Sequence, residues 1–331
     1  MKVSLLLLIA VSVFLLEAAQ QKPESRYTPV LIALAEKGNA DAQFNLGLMY
    51  AKGNGVEPDQ KAAVKWWQRA AKQGQAMAQF NLGLKYADGD GVKQNFKQAE
   101  FWVRKAADQG DADMQHRFGH LNLQGAVVRQ DFKEANKWFR KAADQGHAGA
   151  QRDIGLLYFG GIGVERDFKK GLKWYRKAAD QGDAKAQANL GMSYASGMGA
   201  EQDYKEANEW FRKAANQGDA NAQFRLGVAN AKGLGVEKDF KKAMKWSRDA
   251  AVQGHAEAQY LIGAIHETGG KGTMPKDHVT AYAWYDLASK NGNHPANIRM
   301  ITISVKMPLK QINKAEALAK EMIKKNPKLV K

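Results

Sequence analysis

A chain of 331 residues, 44% apolar and 25% charged, has the composition of a folded protein, which excludes a disordered polymer. The absence of cysteine excludes a disulfide framework, a thiol nucleophile, a Cys-ligated metal and an N-terminal lipid-modified cysteine. Lys and Arg number 50 against 34 Asp and Glu, a formal charge of +16, so a polyanionic partner has to be weighed.

The chain opens with Lys2, an uncharged apolar-rich run from Val3 to Leu16 and the small pair Ala18 and Ala19. That is the layout of a secretory signal peptide. The run is shorter than the roughly 20 residues that a membrane span needs. Residues 1–20 are therefore expected to be a cleaved signal and 21–37 an N-terminal cap, with a helix starting at Thr28 and Pro29 and reaching Lys37. An exported chain without cysteine points to the periplasm, with secretion as the other destination.

From residue 38 to 292 the sequence repeats. Gly47, Gly83, Gly119, Gly155, Gly191, Gly227 and Gly263 step by 36 residues, and ladders from Gly38 to Gly254 and from Gln43 to Gln259 keep the same step. Trp66, Trp102, Trp138, Trp174, Trp210 and Trp246 follow it, and Trp284 comes two residues late. A fixed period of this length marks stacked supersecondary units.

Each unit reads as two helices. In the first, Ala186, Leu190 and Tyr194 form an apolar stripe with Gly191 beside Leu190, and a G-x-G-V loop such as Gly233–Val236 ends it. The second starts after an Asx residue: Asp59, Asn95, Asp131, Asp167, Asp203, Asp239 or Asp277. These are N-caps, and Glu134 and Glu206 are placed to complete capping boxes. Phe132, Ala135, Trp138 and Ala142 share its buried face, and a Gln-Gly pair stops it. The interior glycine is expected to let the partner helix approach closely, with bulky Trp and Tyr filling the space around the contact. At the far end, residues 293–331 comprise a degenerate first helix, "HPANIRMITIS", and a basic amphipathic closing helix from Leu309 to Lys325 built on Ile312, Ala315, Leu318, Ala319 and Met322.

The pattern A-x-A-Q-x-x-L-G-x-x-Y-x-x-G-x-G-V followed by D-F-K-x-A-x-x-W-x-x-K-A-A-x-Q-G resembles the Sel-1-like repeat family, a relative of the tetratricopeptide class, over seven units. Asn122, Asn230 and His266 replace the tyrosine of Tyr50, Tyr86, Tyr158 and Tyr194, Val127 replaces a loop glycine, and Gly171 replaces alanine. The resemblance implies an all-α, right-handed α-solenoid with N- and C-terminal capping helices, acting as a non-enzymatic scaffold in envelope complexes or host interaction.

Function has to lie on faces that the core does not use. The position two after the ladder glutamine is mostly polar: Asn45, Asn81, Arg117, Asp153, Asn189 and Arg225. Stacking would align these on one concave surface, where Asn can bond a peptide backbone and Arg a carboxylate, and they are the expected partner-binding residues. Lys61, Lys97, Lys133, Lys169, Lys205 and Lys241, with Arg104, Arg140, Arg176, Arg212 and Arg248, form basic ladders that make an envelope polyanion or glycan the alternative partner. Interspersed acids and tryptophans committed to packing argue against nucleic acid. His116 and His120 sit four apart, a spacing that can present two imidazoles to one metal, but no third ligand or HExxH accompanies them. No G-x-S-x-G elbow or P-loop occurs. The sequence thus assigns no catalytic residue, no metal and no cofactor. A cell-wall or β-lactam hydrolase is known among cysteine-rich relatives and transfers poorly to a chain without cysteine.

Overall fold

The computed structural model describes residues 28–125, 127–270 and 275–330. The expected signal at 1–20 lies outside them. Among the described residues there are 17 α-helices, a closing 3-10 turn at Pro327–Leu329 and no strand. The chain divides into two compact units, one ending at Ala150 and the other starting at Gln151.

The first unit contains α1 (Thr28–Glu36), α2 (Ala40–Lys52), α3 (Gln60–Lys72), α4 (Ala76–Asp88), α5 (Phe96–Ala107), α6 (Ala112–Gln124), α7 (Phe132–Asp144) and the start of α8 (Ala148–Gly160). The second contains the rest of α8, then α9 (Phe168–Asp180), α10 (Ala184–Ser196), α11 (Tyr204–Asn216), α12 (Ala220–Lys232), α13 (Phe240–Ala251), α14 (Ala256–Thr268), α15 (His278–Lys290), α16 (His294–Ser304) and α17 (Leu309–Lys325). Within each unit, successive helices pack as antiparallel hairpins and each hairpin stacks on the next, the architecture of an α-solenoid.

All seven Asx residues cap the second helices. Each is extended and accepts a backbone N–H of the first turn at 2.8–3.1 Å. The capping boxes do not form. The backbone N–H that such a glutamate would accept is already donated to the preceding helix, from Asp131 to the Asn122 carbonyl and from Asp203 to that of Tyr194, both at 2.9 Å. Glu134 and Glu206 turn instead to the indole N–H of Trp138 and Trp210, again at 2.9 Å.

The glycine ladder marks close helix crossings, although the tryptophan ladder does not fill them. A Cβ built on Gly191 would stand 2.7 Å from the Phe211 ring and 3.0 Å from the Ala207 carbonyl oxygen. The other six glycines face Trp67, Val103, Phe139, Tyr175, Ser247 and Tyr285 at 2.4–2.7 Å. The glycine therefore meets the residue after the ladder tryptophan, which explains Trp67, the single tryptophan out of phase. The ladder indoles lie one position round the helix and cover neighbouring contacts, Trp138 on Phe118 for example. Phe132 leaves the predicted buried face and is 38% exposed. Gly171 has its own reason: a Cβ there would come 2.4 Å from Phe159, a ring that stands where most units carry alanine.

The glutamine ladder is buried, and five of its members show one bonding pattern. The carboxamide N–H of Gln43 and Gln79 in the first unit, and of Gln187, Gln223 and Gln259 in the second, donates to a carbonyl at the end of the preceding second helix at 2.9–3.2 Å. Its oxygen accepts from the carboxamide that precedes the following stop glycine, as Gln79 from Gln109 and Gln187 from Gln217, with Asn291 in that place for Gln259. For these five both polar ends find partners, so burial leaves no orphan group, and each ties its repeat to the helix before it.

Candidate functional site

In the first unit the expected ladder residues lie on α2, α4 and α6. Asn45 and Arg117 are exposed and Asn81 is half-buried. The Arg117 guanidinium lies 5.8 Å from the Phe80 ring centroid.

In the second unit Asp153, Asn189 and Arg225, from α8, α10 and α12, line one open cleft of about 510 Å³ together with Arg152, Leu156, Lys185, Met192 and Phe211. Three of the six sequence-derived residues are therefore brought to a common concavity. Asp153 is not a free carboxylate there. It is buried, and Arg152, which the sequence reading passed over, reaches it at 3.1 Å and Asp183 at 2.9 Å. Burial and the neighbouring Asp153 charge push the Tyr175 phenol well above its ordinary range. A partner therefore meets a neutralised Arg152–Asp153 floor. Among the described residues, the side chains of Lys185, Asn189 and Arg225 have no ion pair or hydrogen bond within the protein, and Lys185 and Arg225 point to solvent. Leu156 is 46% exposed at the cleft rim. Leu156 and Met192 directly follow the ladder glycine, where the other units carry Leu48, Leu84, His120, Val228 and Ala264. That period was the available signal for an apolar strip beside the polar one.

The basic ladders divide into two kinds. Arg104 is held by Glu100 and Glu134 at 3.2 and 3.6 Å, and Arg176 by Glu206 at 3.7 Å beside the Trp210 ring. Desolvation alone would raise the Glu134 carboxyl, but hydrogen bonds from Lys137 and Trp138 and the charges of Lys137 and Arg104 hold it below its ordinary value. These arginines brace neighbouring helices. The lysine ladder from Lys61 to Lys241 is exposed throughout.

No described helix is long and apolar enough to cross a membrane. The Sel1 repeat model matches residues 40–75, 76–111, 112–147, 148–183, 184–219, 220–255 and 256–293. Among solved structures, a Sel1 repeat protein from Oxalobacter formigenes is 35% identical, with 83% of this chain and 80% of that one covered and a TM-score of 0.73. A protective antigen present in uropathogenic Escherichia coli strains, displaying an SLR fold, is 28% identical over 95% and 90% of the two chains, with a TM-score of 0.51. No protein of curated function matches the chain.

Proposed function

Because the chain belongs to the Sel1 repeat family, whose repeats typically serve as non-enzymatic scaffolds for protein interaction, we propose that it is an exported scaffold holding a protein or peptide partner in the α8–α10–α12 cleft. The observation that carries this reading is the cleft itself. Three successive first helices line it, with exposed Leu156 and half-buried Met192 as an apolar strip beside Lys185, Asn189 and Arg225. Such a surface suits an extended segment that offers an apolar side chain and backbone or carboxylate oxygens. The signal-like residues 1–20 support export to the periplasm or beyond, and the protective-antigen description of the E. coli relative agrees with an exposed location.

A photo-cross-linking residue at position 189, read by mass spectrometry from living cells, tests the assignment. We expect a discrete protein adduct that persists at high salt and falls when Lys185→Ala and Arg225→Ala are combined. An adduct unaffected by both substitutions refutes the cleft. The second reading, an anionic envelope glycan or lipid bound by the exposed lysine ladder, predicts retention on envelope fractions that disappears with added salt.

A further inference from the structure

The third repeat carries two imidazoles at positions where no other unit has a histidine. At the position of His116 the other units have Phe44, Phe80, Arg152, Ala188, Phe224 and Tyr260; at that of His120 they have Leu48, Leu84, Leu156, Met192, Val228 and Ala264. Both histidines lie on α6, one turn apart and half-buried, each against the Phe139 ring at 5.5 and 5.1 Å between centroids. Their Nε2 atoms converge to 3.2 Å.

From this geometry we infer that His116 and His120 form a bidentate site for a late first-row divalent cation such as Zn²⁺ or Cu²⁺. An ion about 2.05 Å from each imidazole nitrogen sees two nitrogens 3.2 Å apart under an angle of about 100°, near the tetrahedral value. Binding releases the proton that the two Nε2 atoms share in their hydrogen bond, and imidazole suits these ions. The Phe139 ring backs the pair and fixes the two rings. His147 stacks on His116 at 4.4 Å without joining the site. Its Nδ1 accepts the Ala150 N–H at 2.9 Å, capping α8, and its Nε2–H therefore donates to Asp113 at 2.9 Å. The same stacking of a capping histidine recurs between His255 and Phe224 at 4.8 Å. A ring at position 116 is thus a packing element of the repeat, whereas the imidazole chemistry at 116 and 120 is particular to this one.

The test is isothermal titration of the full chain with ZnCl₂ and with CuCl₂, for the wild type and for His116→Phe and His120→Leu, which install residues that other units use. We expect saturable uptake of one equivalent, copper EPR showing two nitrogen ligands, and at least tenfold weaker binding in each variant with helical circular dichroism unchanged. Should either variant lose helicity, His116→Gln and His120→Gln provide the same comparison. Absence of saturable uptake, or uptake that survives either folded substitution, overturns the site.

Discussion

Replacing Gly191 by alanine sets helix propensity against packing. In an isolated helix the change stabilises by about 1 kcal/mol. In α10 the new methyl group would sit 2.7 Å from the Phe211 ring and 3.0 Å from the Ala207 carbonyl oxygen, about 0.7 and 0.4 Å inside ordinary contact. Phe211 is 3% exposed and cannot swing aside, and the carbonyl belongs to α11 itself. Overpacking of a tight core costs about 1–3 kcal/mol, and two simultaneous overlaps place this case at the upper end. The net expectation is a loss of about 2 kcal/mol, or roughly 30-fold faster hydrogen exchange at the protected amides of α10 and α11. Exchange is the suitable assay because a repeat array does not unfold in one global step. The decisive comparison repeats the substitution on a Phe211→Ala background. There the ring overlap is gone, and Gly191→Ala should come within about 1 kcal/mol of neutral. A gain in stability in the wild type, or an equal loss in both backgrounds, refutes the claim that the glycine exists to admit Phe211.

Two further outcomes follow from buried polar groups. Gln187→Leu removes one bond each from the Ala179 carbonyl, which keeps the Gly182 N–H, and from the Gln217 carboxamide, which keeps the Gly182 carbonyl, and should lower stability by about 1–3 kcal/mol in hydrogen exchange around the α9–α10 junction. His266 sits with its Nε2 buried and without a hydrogen-bond partner, and burial, opposed by the Asp277 charge, lowers its pKa from 6.5. The unfolded chain then binds the proton more readily than the folded one, so stability is complete above pH 6.5 and declines as pH falls below it. Melting curves should show this decline in the wild type and a flatter profile in His266→Tyr, which carries the tyrosine of the other units; identical profiles refute it.

Period and punctuation made the helices legible. The predicted closing helix from Leu309 to Lys325 coincides with α17, and the first helix, expected to reach Lys37, stops at Glu36. What a period cannot convey is how two helices are rotated against each other, and so the tryptophan ladder drew attention away from the residue after it, the one that touches glycine. Glu134 and Glu206 had correct capping-box spacing, but a tertiary hydrogen bond had already taken the N–H that the box requires. The glutamine ladder showed only that a polar group recurs; its two bonds depend on helices 30 residues downstream and eight upstream. At the cleft, Asn189 and Arg225 were legible from their phase on the helix. Asp153 shares that phase and is buried because Arg152, adjacent in sequence, folds across it.

The paired bonds of each buried glutamine have a consequence for how such a chain can lengthen or shorten. A module of either compact unit supplies a carboxamide donor at its leading edge and offers a carbonyl acceptor at its trailing edge, as Gln187 to Ala179 and Gln223 to Ala215. A duplicated segment of 36 residues would arrive with both halves of its fastening already in position, and an excised one would leave two matching halves behind. Growth by whole copies is thereby tolerated, whereas gain or loss of a few residues would misalign every later join.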